Sequence, residues 1–137
     1  MTGCDREIIL DYYDFRIRLR NKGNLTVRDF RVEVEIPRAY AKSGSIAEVT
    51  RYGRDDVRFF RRTQKELRDF VLYPEETSDY VLTLDYMITE AQYRAGISES
   101  IVVTLYSGDK CHGRTEYAIK DFLNKDRLQQ LFGKTNI

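Results

Sequence analysis

The chain has 137 residues, 33% of them charged and 42% hydrophobic, with a net charge of +1. That balance belongs to a folded globular chain and excludes a disordered one. Apolar runs such as Ile8-Ile9-Leu10 fall far short of the ~20 residues that a membrane-spanning helix needs, and residues 1–137 are expected to fold as a single domain.

In chain order, a short strand is expected from Glu7 to Leu10, and a better-patterned one from Tyr12 to Arg20. In the latter Phe15-Ile17-Leu19 alternate with Arg16-Arg18-Arg20. Successive side chains of a strand point to opposite faces, so this segment has one greasy and one charged side. Asn21-Lys22-Gly23-Asn24 supplies residues that tolerate turn geometry. Thr26 to Ile36 is extended again, with Phe30-Val32-Val34-Ile36 against Arg31-Glu33-Glu35. Pro37 stops it by lacking a ladder donor.

Residues 38–47 read as a loop. Glu48 to Tyr52 and Val57 to Arg62 are expected to form a hairpin around Gly53-Arg54-Asp55-Asp56. Leu67 to Tyr73 reads as a strand closed by the turn Pro74-Glu75-Glu76-Thr77. Asp79 to Thr89 reads as another, with Tyr80, Leu82, Leu84, Tyr86 and Ile88 on one inward face. Residues 90–99 are expected to be a connector. Ile101 to Ser107 and Thr115 to Lys120 form a second hairpin around residues 108–113. The period then changes: Asn124 caps, Leu128, Leu131 and Phe132 share a side, and Gly133 stops a helix over 124–132. A helix of about two turns must dock to be stable.

The sum is an all-β, immunoglobulin-like antiparallel sandwich of seven to nine strands with a short C-terminal helix. The stretch Ile17 to Asn24, followed by Val27 to Pro37, resembles bacterial immunoglobulin-like accessory domains of the cell-adhesion-related type. There an apolar strand ends in Asn-x-Gly and a second alternating strand follows. Leu72-Tyr73-Pro74-Glu75-Glu76-Thr77 leading into Tyr80 to Ile88 is similar to a later element of those domains. The resemblance implies an accessory or interaction module in a larger bacterial protein. It brings no catalytic motif, and the chain, having no tryptophan, departs from antibody-type domains. A fold alone does not assign a function.

Charge is unevenly spread. Residues 16–68 hold 15 Lys/Arg against 7 Asp/Glu, and residues 69–109 hold 1 Arg against 8 acids. The expectation is that strands of the two segments interleave and pair their charges; the alternative is a bipolar surface that steers an acidic partner. Within the basic block lies the one basic-aromatic patch, Arg51, Arg54, Arg58, Phe60, Arg61, Arg62, Lys65 and Arg68. Aromatics among cations can stack bases while the cations neutralise phosphates. The plainer reading places Phe59 or Phe60 in the core and the arginines on a wet, guarded strand.

Other chemistry is sparse. His112 is the only histidine and adjoins Cys111; neighbours on a strand point apart, and two ligands fall short of the three or four zinc takes. Asp55-Asp56 and Glu75-Glu76 are ordinary turn residues. No phosphate loop or nucleophile elbow is present. No enzyme activity, no cofactor and no metal are therefore expected. Two cysteines suggest free thiols and a cytoplasmic setting. Met1-Thr2-Gly3-Cys4 nonetheless has the look of a lipoprotein cleavage box, which would mean an envelope anchor lost upstream. The expected function is a non-catalytic protein-interaction module with a protein partner. The alternatives are nucleic-acid or polyanion binding through residues 51–68, and a surface-anchored carbohydrate or adhesion module.

Overall fold

Val32, Val34 and Ile36 are completely buried, and the sandwich is organised around the strand that carries them. The computed structural model describes residues 5–11, 15–41, 48–49, 53–84, 86–107, 111–123 and 125–133. The expectations for Met1 to Cys4, Arg51 and the Asn124 cap lie outside that set. Among the described residues, eight strands form two antiparallel sheets: β1 (Arg6–Asp11), β2 (Arg16–Asn21), β3 (Arg31–Pro37), β4 (Glu48–Val49), β5 (Val57–Thr63), β6 (Leu82–Thr83), β7 (Ser100–Ser107) and β8 (Cys111–Ala118). The described residues also include two α-helices, α1 (Glu90–Ala95) and α2 (Lys125–Phe132), and three short 3-10 helices, Arg38–Tyr40, Gln64–Glu66 and Ile119–Phe122. The smaller sheet runs β1-β2-β6 and the larger β4-β5-β3-β7-β8.

The alternation read from the sequence is what seats the layers. From β3, Val34 pairs with Phe60 on one side and Val103 on the other. From the small sheet, Ile17 and Leu19 enter the same cluster, with Ile8 and Leu10 packed beside them. Phe15 joins the layers, its ring meeting Tyr117 edge-on at 6.3 Å. It does so from a backbone φ of 42°, which is why β2 begins at Arg16: a residue in the left-handed region leaves the pleat. The expected strand residues Tyr12 to Asp14 lie outside the described residues.

Two predicted strands are largely irregular. Between Leu67 and Tyr73 only Leu72 pairs, in a single bridge with Val27, because Asp69 at φ 54° turns the chain out of extension. Among the described residues of the span Asp79 to Thr89, the sheet pairing is the two residues of β6 plus one bridge from Tyr86 to Ala41. There the expected inward face fails at its first position. Val81 and Leu82 are buried in succession, so alternation breaks and Tyr80 turns outward at 42% exposure.

The predicted connector 90–99 contains α1. Its start is a full capping box: Gln92 N donates to Thr89 Oγ1 at 3.1 Å, and Thr89 N donates to Gln92 Oε1 at 2.8 Å. The C-terminal helix forms as expected, but only partly with the expected face. Leu128 is buried and Phe132 stacks on Tyr93 of α1 at 5.7 Å, whereas Leu131 is exposed. The docking partner that so short a helix needs is thus α1.

Two polar residues hold the chain ends of the small sheet. Asn21 is fully buried and donates through Nδ2 to Leu25 O at 2.7 Å and Leu72 O at 2.9 Å, while its Oδ1 accepts from Gly23 N at 2.9 Å. Arg6, also buried, is paired with Asp5 at 2.9 Å and donates to the Asp29 carbonyl.

Tyr40, just after β3, donates its hydroxyl to Glu99 Oε2 at 2.8 Å. Burial, then that hydrogen bond and the negative charge of Glu99, pushes its phenol up to about 12. In the unfolded chain the phenol titrates near 10. The folded state therefore holds this proton more tightly, and the resulting stabilisation is present below pH ~10 and lost as pH rises through the folded value. Denaturant midpoints of the protein and of Tyr40→Phe should converge as pH is raised from about 10 toward 12.

Candidate interaction surfaces

The basic-aromatic segment maps onto β5 and its flanks, and strand pleating divides it. Phe60 is 1% exposed and points into the core between Val34 and Glu48 of the neighbouring strands. This corrects its place in the predicted patch: it offers no ring to a ligand, and Phe59 takes the outer position. Arg58 and Arg62 share the inward side of β5 with Phe60, near its ends. They are about one-fifth exposed and lie 3.6 Å from Glu48 and 3.5 Å from Glu66, respectively.

Arg61 and Arg54 belong to the outer face, where carboxylates meet them. Arg61 lies 3.8 Å from Glu33, which also faces Arg31 at 4.0 Å. Arg54 lies 3.6 Å from Glu35, which also faces Arg114 at 4.0 Å. Lys65 and Arg68 are exposed, and Arg68 is 3.9 Å from Asp69. Arg51 lies outside the described residues. The carboxylates that answer this block are mostly its own, Glu33, Glu35, Glu48 and Glu66. Among the described residues, the ion pairs of Arg54, Arg58, Arg61 and Arg62 thus lie within residues 16–68.

Sequence reasoning missed a second surface. The two irregular segments, 67–72 and 76–81, enclose an open cleft of about 400 Å³. Leu67, Phe70, Leu72 and Val81 supply its apolar lining, and Asp69, Glu76 and Asp79 its polar one. Phe70 is fixed by an edge contact with Phe30 at 4.8 Å. The turn between the segments is tied down at both ends: Asn21 N donates to Glu76 O at 3.0 Å, and Tyr73 N donates to Glu76 Oε1 at 2.9 Å.

Tyr80 closes one side of the cleft. Its ring receives Arg16 at 5.2 Å and Arg18 at 5.3 Å from the outer face of β2. Such cation–π contacts contribute about 0.5–1 kcal/mol at exposed sites, enough to orient a ring that is still 42% exposed. Tyr73, 55% exposed, stands on the same turn. The available signal was the dense sequence Leu67 to Tyr80 with its Pro74; reading it as two strands concealed the opening between them.

Among the described residues, no group of three or more His, Cys, Asp and Glu is placed to hold a metal ion. Cys111 and His112 open β8, and their side chains lie outside the described set. No helix among the described residues is long and apolar enough to cross a membrane. The architecture is that of an all-β sandwich with an open, Tyr-bordered cleft. No family model, no curated protein and no solved structure matches the chain.

Proposed function

We propose that this chain is a non-catalytic, immunoglobulin-like interaction module that binds a protein segment in the cleft between residues 67–72 and 76–81. The observation that carries the reading is the cleft itself: an apolar floor, a polar rim and the exposed ring of Tyr80 at its side. Aromatic residues with a polar tip are enriched at protein interfaces because they give large contact area at small entropic cost. The two-layered antiparallel architecture supports the immunoglobulin-like assignment, and so does the early pair of alternating strands joined through Asn21 to Asn24.

Panning a random-peptide library against the full chain should enrich peptides that lose at least tenfold in affinity on Tyr80→Ala. They should bind Lys120→Ala, an exposed change outside the cleft lining, as they bind the parent. Peptides indifferent to Tyr80→Ala, or none enriched at all, would remove the cleft from consideration. The polyanion alternative receives less support, since Phe60 is in the core and Arg54, Arg58, Arg61 and Arg62 each face a carboxylate. Tight binding of single-stranded DNA that collapses with salt would reinstate it.

A further inference from the structure

The edge of the larger sheet formed by β8 is long, regular and self-complementary. Its eight residues pair with β7 in unbroken register from Ser100↔Ala118 to Ser107↔Cys111, so no bulge twists it away. The strand contains no proline and no lysine, two of the usual means by which proteins blunt an open edge. By contrast, β6 at one edge of the smaller sheet is two residues long, too short to template a neighbour, and β1 at its other edge has six residues against the eight of β8. Gly113, Arg114, Thr115 and Glu116 are all exposed.

We infer that two copies of this chain join edge to edge through β8, antiparallel, with Thr115 on the two-fold axis. Symmetric pairing of a strand with itself allows only a few registers, and charge selects among them. Centring on Arg114 or on Glu116 sets like charges opposite, which is destabilising. Centring on Thr115 sets Arg114 opposite Glu116 of the second copy, and the same again on the other side of the axis. It also places Thr opposite Thr, a favourable cross-strand pair. Gly113 then faces Tyr117 of the second copy, an aromatic–glycine pairing that covers the bare backbone.

Within one chain, Arg114 already lies 3.3 Å from Glu116 and 4.0 Å from Glu35. Their side chains are more than half exposed, and such surface pairs are held weakly, so both are open to exchange with a second copy. Because the interface is isologous, the assembly closes at two chains and joins the large sheets into one of ten strands. A seam of this length buries less than the roughly 1,000 Å² of a durable interface. The dimer is therefore concentration-dependent and weakened by salt.

Sedimentation velocity on the full chain, from about 10 μM to about 1 mM at low salt, tests this. The parent should move from one-chain to two-chain mass as concentration rises. Arg114→Glu and Glu116→Arg, each folded by circular dichroism, should stay single alone. An equimolar mixture of the two should regain the two-chain species, because each then meets its opposite charge. In Thr115→Cys, thiols directly opposite with Cα atoms about 4.5–5.5 Å apart should give a covalent dimer on mild oxidation well beyond that of the parent. A parent that remains single throughout, single variants that still dimerise, or a mixture that fails to associate would each overturn the inference.

Discussion

Val34→Asp should abolish folding or leave a chain with little residual stability. Val34 is fully buried at the middle of β3, between Phe60 of β5 and Val103 of β7. Its direct cross-strand partners are Phe60 and Val103, and the two arginines on the inward side of β5, Arg58 and Arg62, sit diagonally from it near the strand ends, where Glu48 and Glu66 already pair with them. An aspartate would have to ionise without a partner or bind a proton, and either route costs several kcal/mol. A domain of this size holds only about 5–15 kcal/mol in all, so a loss of roughly 4–5 kcal/mol should be visible as a lost thermal transition or a greatly lowered denaturant midpoint. Glu33→Val, one residue away on the outer face, should cost far less, since its ion-pair partners Arg31 and Arg61 are more than two-fifths exposed and can return to water.

Asn21 provides the second large effect, through hydrogen bonds instead of volume. Its side chain joins three segments by bonding Gly23, Leu25 and Leu72, and its backbone adds bonds to Glu75 and Glu76. Asn21→Ala should destabilise by about 2–4 kcal/mol, the sum of lost bonds and stranded polar groups. Asn21→Asp keeps the shape but turns an acceptor toward the carbonyls of Leu25 and Leu72. Burial and that repulsion favour the neutral acid, so the folded-state pKa of the new carboxyl is raised above the ordinary ~3.9. The Asn21→Asp penalty should be smallest at acid pH, where the carboxyl can donate one bond, and should grow as pH rises through that range. Denaturant midpoints at pH 3.5 and pH 7, compared with the parent, would measure the difference.

Alternation made β2, β3, β5 and β7 legible, because a strand with one buried face writes period two into its sequence. It could not decide between Phe59 and Phe60. Arg58-Phe60-Arg62 and Val57-Phe59-Arg61 are both credible faces, and only the pairing of Phe60 with Val34 settles which turns inward. The same limit explains the cleft: residues 67–89 are rich in apolar side chains, but the positive φ angles at Asp69 and Glu75 are properties of the folded backbone that these residue types do not announce. Helix α1 was available from Thr89, Gln92 and Gly96, a cap pair and a stop. It was hidden by its six-residue length and by the absence of any buried residue that would mark a face.

The position of β3 also bears on how a nascent chain behaves during translation. Its two neighbours are separated widely in sequence: β5 follows within about 20 residues, but β7 begins only at Ser100. Contacts this distant form late and slow the search for the native topology. Until Ser100 to Ser107 leave the ribosome, the apolar row Val32-Val34-Ile36 has one flank without its β7 ladder partner, and an unpaired apolar strand edge of that kind is prone to aggregate.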